Sequence, residues 1–499
     1  MRSTLTFHDL PAEIRIAIYK LYFTVDGGYR YSHESTKLTK ADGKAIDLSL
    51  MLASQLIARE TALIPLHVNP LHFSTGSSRF ENTYAGYHDV NMHSKADFLS
   101  ELNDWLWLAE TPEMYNRVMQ KYPQFAVALD ASRSRRRPRL LDRPLSLDGR
   151  EGDDDDGLNN LPRGSWGEAP SLWREASQFA WETAACIDKD RASEAALNFF
   201  CYEVNGTGHD PLRPIRVKHN PWDIPTLKEA ESIKDSVKYV RLDHHRRKRS
   251  HKYRWSAASL AIRFLKSLTR ELRLQVCHIF LHEDQRAVAH QACHALGMVS
   301  LCKENPRLHV EQRVSLFGTI LQSAGGVLPE GYITEYVAIW LIEALRVIRA
   351  MSSQPFTFVL DGEPALDKAN IIFEQVIQRD LALHHAMEES IQRQLLRPSD
   401  PAVRRRWEGC YVMEGFPEAM QLLKQNNGPF RCNFDPGSSR DVEKMIQERR
   451  GMSREAWSRE GRDHPVLPFK ASDIVAQASP VLWDKGVRAE FWGSWLEYR

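Results

Sequence analysis

The chain has 499 residues, 42% of them hydrophobic and 26% charged, an ordinary globular composition with enough apolar content for a large core. Lys and Arg total 66 against 65 for Asp and Glu, so no global field draws the chain to nucleic acid or to an anionic membrane. The seven cysteines include no Cys-x-x-Cys pair, which argues against a disulfide framework or a zinc knuckle and for a reducing, intracellular setting.

The opening segment has no apolar run followed by a small-residue cleavage site, so a secretory signal is not expected. Asp9 suits a helix N-cap, Pro11 the first turn and Glu13 the positive end of the helix dipole. Ile14, Ile18, Leu21 and Tyr22 then make an apolar stripe at helical spacing. Gly27 and Gly28 end this helix, residues 31–44 read as a polar loop, and a second helix runs over about 47–63 until Pro65 and Pro70 break it. His72, Phe73 and Ser74 have strand character.

Residues 94–130 read as helical and aromatic-rich. Residues 131–168 carry a basic block from Ser132 to Arg139 and the acidic run Asp153 to Asp156, and read as a disordered charged insertion. Alternation follows. Helices are expected at 171–188, 225–235, 256–272, 286–304, 332–351 and 366–396, and strands at 196–204, 237–243, 276–282, 308–316 and 356–360. In the strand at 308–316, Leu308, Val310, Val314 and Leu316 share one face. The greasiest stretch, 332–348, carries Glu335, Glu343 and Arg346, and reads as a buried core helix rather than a bilayer span. Residues 399–499 are tryptophan-rich and partly irregular, with flexible stretches near 433–440 and 451–465. The expected class is a mixed, helix-rich α/β protein with a layered or irregular solenoid-like body. Its divisions fall at 1–75, 76–130, 131–168, 169–398 and 399–499.

The run Phe7-His8-Asp9-Leu10-Pro11-Ala12-Glu13-Ile14 resembles the opening of fungal F-box-like proteins, whose mark is Leu-Pro-x-Glu-Ile before an apolar helix. The segment from Leu52 through Gln55 to Glu60 looks like their second helix, with Asn69 and Phe73 at the strand that follows. The resemblance covers about 75 residues of the chain and implies an intracellular, cytoplasmic or nuclear interaction protein. It implies that Leu10, Pro11, Ile14, Ile18 and Leu21 face a partner helix, and that the partner is a Skp1-type ubiquitin-ligase adaptor, with the rest of the chain recruiting a target protein. Residues 176–184 echo 53–62, which would make 199–204 a second copy of the strand.

Other candidates are weaker. His290 and His294 stand four apart, a metal-ligand spacing on a helix, but Gln291 sits where a zinc hydrolase needs its general-base Glu. The basic run from His244 to Arg249 suits a nuclear-import signal better than a nucleic-acid contact. No nucleotide-binding, kinase or serine-hydrolase motif occurs, and neither a catalytic residue nor a cofactor is assigned. Two alternatives stand beside the adaptor reading: a scaffold with the same fold and no ligase coupling, and an enzyme with its site in strand-end loops at 282–284 and 361–363.

Overall fold

The computed structural model describes residues 7–77, 81–103, 106–123, 169–203, 219–237, 253–323, 330–351, 356–397, 412–463 and 465–469, together with 212, 215, 326, 327, 410 and 474. Its centre is a seven-stranded, mostly parallel sheet. Strands β1 (Tyr29–Ser32), β2 (Lys37–Lys40), β3 (Leu71–Ser74), β4 (His278–Glu283), β5 (His309–Ser315), β8 (Phe356–Asp361) and β9 (Phe430–Cys432) are ordered β2-β1-β3-β4-β5-β8-β9. Two-residue strands β6 (Gln322–Ser323) and β7 (Gly326–Val327) form a separate ribbon. Only β2 runs antiparallel to its neighbour in the large sheet.

From β1 onward, strand order follows chain order. Every parallel step crosses the sheet in the same direction, so right-handed connections fall on one side. Burial agrees. On one face Leu71, Phe73, Ile279, Leu281, Val310, Val314, Phe358 and Phe430 are buried, and helices Ala257–Ser267 and Ile333–Met351 pack against that side. The other face, carrying His72, Phe280, His282, Glu311 and Arg313, stays partly open. The helix Ile333–Met351 is apolar over most of its circumference, as a helix within the core must be. A second cluster gathers helices Pro112–Lys121, Pro170–Ile187 and Lys189–Glu203 around Met114 and Trp181. A third packs Ile446 and Trp457 on the helix Gln378–Gln392.

Several expectations change. Most of residues 31–44, expected as a loop, belongs to the β1–β2 hairpin of residues 29–40, because Tyr29 is buried in the main core. Gly28 stands at φ +65°, where a side chain would strike the Pro70 carbonyl, so it serves the close approach of β1 to β3 rather than the helix end. The second helix divides into a 3₁₀ turn Ser49–Leu52, α2 (Gln55–Thr61) and α3 (Ile64–Val68); Ser54 caps α2, and Pro65 opens α3 instead of breaking a helix. The strand expected at 196–204 is the helix Lys189–Glu203, packed on its Ala192, Ala195 and Ala196 face, so the echo of 53–62 does not extend to a second strand. The helix expected at 286–304 is a 3₁₀ segment Gln291–Met298 followed by the short helix Val299–Glu304. Helix Arg454–Arg462 occupies part of 451–465. The charged segment 131–168 and the strand expected at 237–243 lie outside the described residues, apart from Val237, which ends a helix. Among the described residues no helix is long and apolar enough to cross a membrane.

Candidate functional site

Helix α1 (Ala12–Phe23) is held by one face and shows the other. Pro11 precedes it in an extended conformation and gives no side-chain cap; Asp9 belongs to a separate turn, Phe7–Asp9, and is not the N-cap. Tyr19 and Phe23 are buried with Ile57 and Ile64 in a small core of their own. An ion pair clamps α1 to α2: Arg15 donates to Glu60 at 3.1 Å and 2.5 Å, and the Tyr19 hydroxyl donates to the same carboxylate at 2.9 Å. The hydrogen bond from Arg15 holds the Glu60 carboxyl below the usual range. At the far end, the Asn69 amide donates to the carbonyls of Phe23 (2.8 Å) and Pro65 (2.9 Å) and accepts from the Val25 N–H (2.8 Å). Tyr22 reaches Asp47 at 2.9 Å, which sets the end of α1 beside the 3₁₀ turn.

The remaining apolar side chains of α1 are therefore outside. Ile14 is 49% exposed, Ile18 39% and Leu21 79%, while the neighbouring segments present Leu52 at 87% and Leu56 at 46%. Pro11 is exposed and Leu10 half-buried. Ile14, Ile18 and Leu21 recur at helical spacing, so they make one stripe, and its apolar surface faces water. Sequence reasoning missed Leu52 and Leu56 as exposed groups; their only signal was their position in a helix that proves to be two short pieces.

The open sheet face is a second surface. Register sets Arg30, His72, Phe280 and Glu311 in one row and His282, Arg313 and Arg431 in the next. His72 and Phe280 stack at 4.7 Å with their planes 6° apart, and His72 and His282 at 5.4 Å and 13°. The two imidazoles share a 3.0 Å hydrogen bond, which requires one to supply a lone pair, so at most one is cationic. Burial, then the neighbouring His282, lowers the His72 pKa to about 4; burial, then Arg313, also lowers that of His282. Nothing in the sequence signalled this pairing, because the two residues lie on strands far apart in the chain.

The other candidate residues make hydrogen bonds and ring contacts within the fold. His290 adopts a left-handed backbone (φ 61°) and lies 4.3 Å from the His93 ring, whereas the buried His294 bonds Ser256 (2.7 Å), Ser259 (3.0 Å) and the Ala289 carbonyl (2.7 Å). They share no α-helical face, and no cluster of metal-ligating groups occurs among the described residues. At the strand ends, Asp284 accepts from the Thr75 N–H at 3.3 Å, and Asp361 accepts from Asn433 at 2.7 Å and the Glu363 N–H at 3.0 Å. Beside Asp284, at the end of β4, Glu283 is fully buried and accepts from the Ala257 and Ala258 N–H groups and from Gln291, stapling a helix start to the sheet. A groove of about 490 Å³ lies elsewhere, between helices Gln378–Gln392 and Val442–Glu448, where Glu389 and Glu443 both bind Arg393.

The chain matches no family model, no curated protein and no solved structure.

Proposed function

We propose that this chain is a non-catalytic, F-box-like interaction protein. Its α1 stripe docks a helix of a Skp1-type adaptor, and its α/β body recruits a second protein. The observation that supports this reading is the outward stripe of Ile14, Ile18 and Leu21 on a helix fixed from behind by Arg15, Tyr19 and Phe23. A helix whose apolar side were needed by its own fold would bury it; helix-in-groove recognition uses anchors at this spacing. Fully burying a leucine is worth roughly 1.5–3 kcal/mol, so removing two such anchors weakens docking by about a hundredfold or more.

The test is a pull-down of the full chain with a purified Skp1-type adaptor, comparing the natural chain with Ile18→Asp/Leu21→Asp. Both positions are exposed, so folding is retained and circular dichroism checks it. Capture of the natural chain and loss of the variant supports the adaptor reading. Equal capture, or none of either, leaves a scaffold without ligase coupling.

A further inference from the structure

We propose that the open face of the sheet binds an acidic, extended peptide segment of a partner protein, with Arg30, Arg313 and Arg431 receiving its carboxylates above the ring stack of His72, Phe280 and His282. The inference rests on the reading of the chain as a recruiting protein and supplies its recruiting surface.

Three observations carry it. First, the face is unevenly charged. Arg313 shares the Glu311 carboxylate at 2.9 Å, and among the described residues Arg30 and Arg431 have no carboxylate partner. All three arginine side chains stand on exposed residues. Second, the spacing suits a chain laid across the strands. Arg313 and Arg431 lie two strands apart, about 10 Å, and Arg30 three strands to the other side, about 14 Å, and one row (about 7 Å) along the strands; an extended peptide crossing obliquely presents like-facing side chains about every 7 Å, within reach of arginine. Third, the rings of His72, Phe280 and His282 stand on β3 and β4, between Arg30 on β1 and Arg313 on β5, so they form an aromatic floor between the cationic side chains. Of the acids on this face, Glu311 accepts from Arg313 and Asp361 from Asn433, so Arg30 and Arg431 are the charges offered to the peptide.

The experiment uses the full chain and a fluorescein-labelled octapeptide of alternating Ser and Glu, read by fluorescence anisotropy at low salt and neutral pH. Saturable binding is expected, at least tenfold weaker in Arg30→Glu/Arg431→Glu and weakened in Arg313→Gln, with unchanged thermal unfolding. A Ser-Lys octapeptide is not bound. Absence of saturable binding, unchanged binding by the double variant, or tighter binding of an octauridylate than of the acidic peptide overturns the proposal. No adaptor is present in the assay, so its failure is distinguishable from failure of α1 docking.

Discussion

Asn69 joins three separate pieces of chain through three hydrogen bonds, to the end of α1, to α3 and to the turn that begins at Val25. It is 2% exposed, so each bond forms away from competing water and each lost partner leaves a buried group unsatisfied. We expect Asn69→Ala to destabilise the fold by about 2–4 kcal/mol, and Asn69→Asp to do nearly as badly because a carboxylate cannot donate to the Phe23 and Pro65 carbonyls. Urea unfolding measures both; a midpoint unchanged in either variant contradicts this role. The position was visible in the sequence, but its work was not, since the three partners are spread along the chain. Arg15 and Glu60 illustrate the same limit: each looks like an ordinary surface charge until the two helices are packed.

At the scale of elements, the long periodic segments were legible and the short ones were not. Helix Ile333–Met351 and strand β5 have patterns that only one structure satisfies, and they appear within a residue or two of expectation. Residues 189–203 look strand-like at their apolar end, yet three alanines at helical spacing pack against neighbouring helices, and tertiary contacts decide the matter. The hairpin β1–β2 was hidden because it is short and its second strand is largely polar; its order comes from Tyr29, buried in the main core, with Tyr31 and Leu38 packed against it. The start of helix Ala257–Ser267 was legible to within a residue, with Ser256 as its N-cap, but its second, carboxylate cap was hidden, because Glu283 lies on a strand.

That cap makes a pH prediction. Burial raises the Glu283 carboxyl to about 7, overriding its three donors, whereas an unfolded Glu titrates near about 4.3. The folded chain thus holds this proton more tightly. The group's contribution is fully present below the unfolded pKa and is lost as pH rises through about 7, a change on the order of 3 kcal/mol. The buried His88 and His294, with pKa values lowered to about 4 and 3 by burial, act in the opposite sense, so the natural chain alone gives a mixed curve. The difference between the natural chain and Glu283→Gln isolates the carboxyl. Urea unfolding between pH 5 and 8 should show that difference changing with pH up to about 7 and flattening above; a constant difference contradicts it.

For the molecule as a whole, the α/β class and the alternation of helix and strand were readable from periodicity, while the extent of the sheet was not. It takes strands from 1–75, from 169–398 and from the tryptophan-rich end, where β9 pairs with β8. The three residues of β9 gave no strand pattern, and their order comes from Phe430, wholly buried against Phe358. Phe416, Met420 and Leu423 of the preceding helix enter the same core. A chain ended at residue 398 should therefore lose cooperative unfolding, bind a hydrophobic dye and aggregate through the uncovered edge of β8. A soluble product with a sharp transition at the original midpoint contradicts that.

The agreement between strand order and chain order bears on synthesis. From β4 onward, each new strand leaves the ribosome to find its partner already made and waiting, so the sheet can grow by addition at one border. The junction of β3 with β4 is the exception, since the two are separated by all the helices of the second cluster. Until that long interval has been translated, the hairpin and β3 have no mate on their inner border. A nascent chain halted there would be the form most in need of a chaperone.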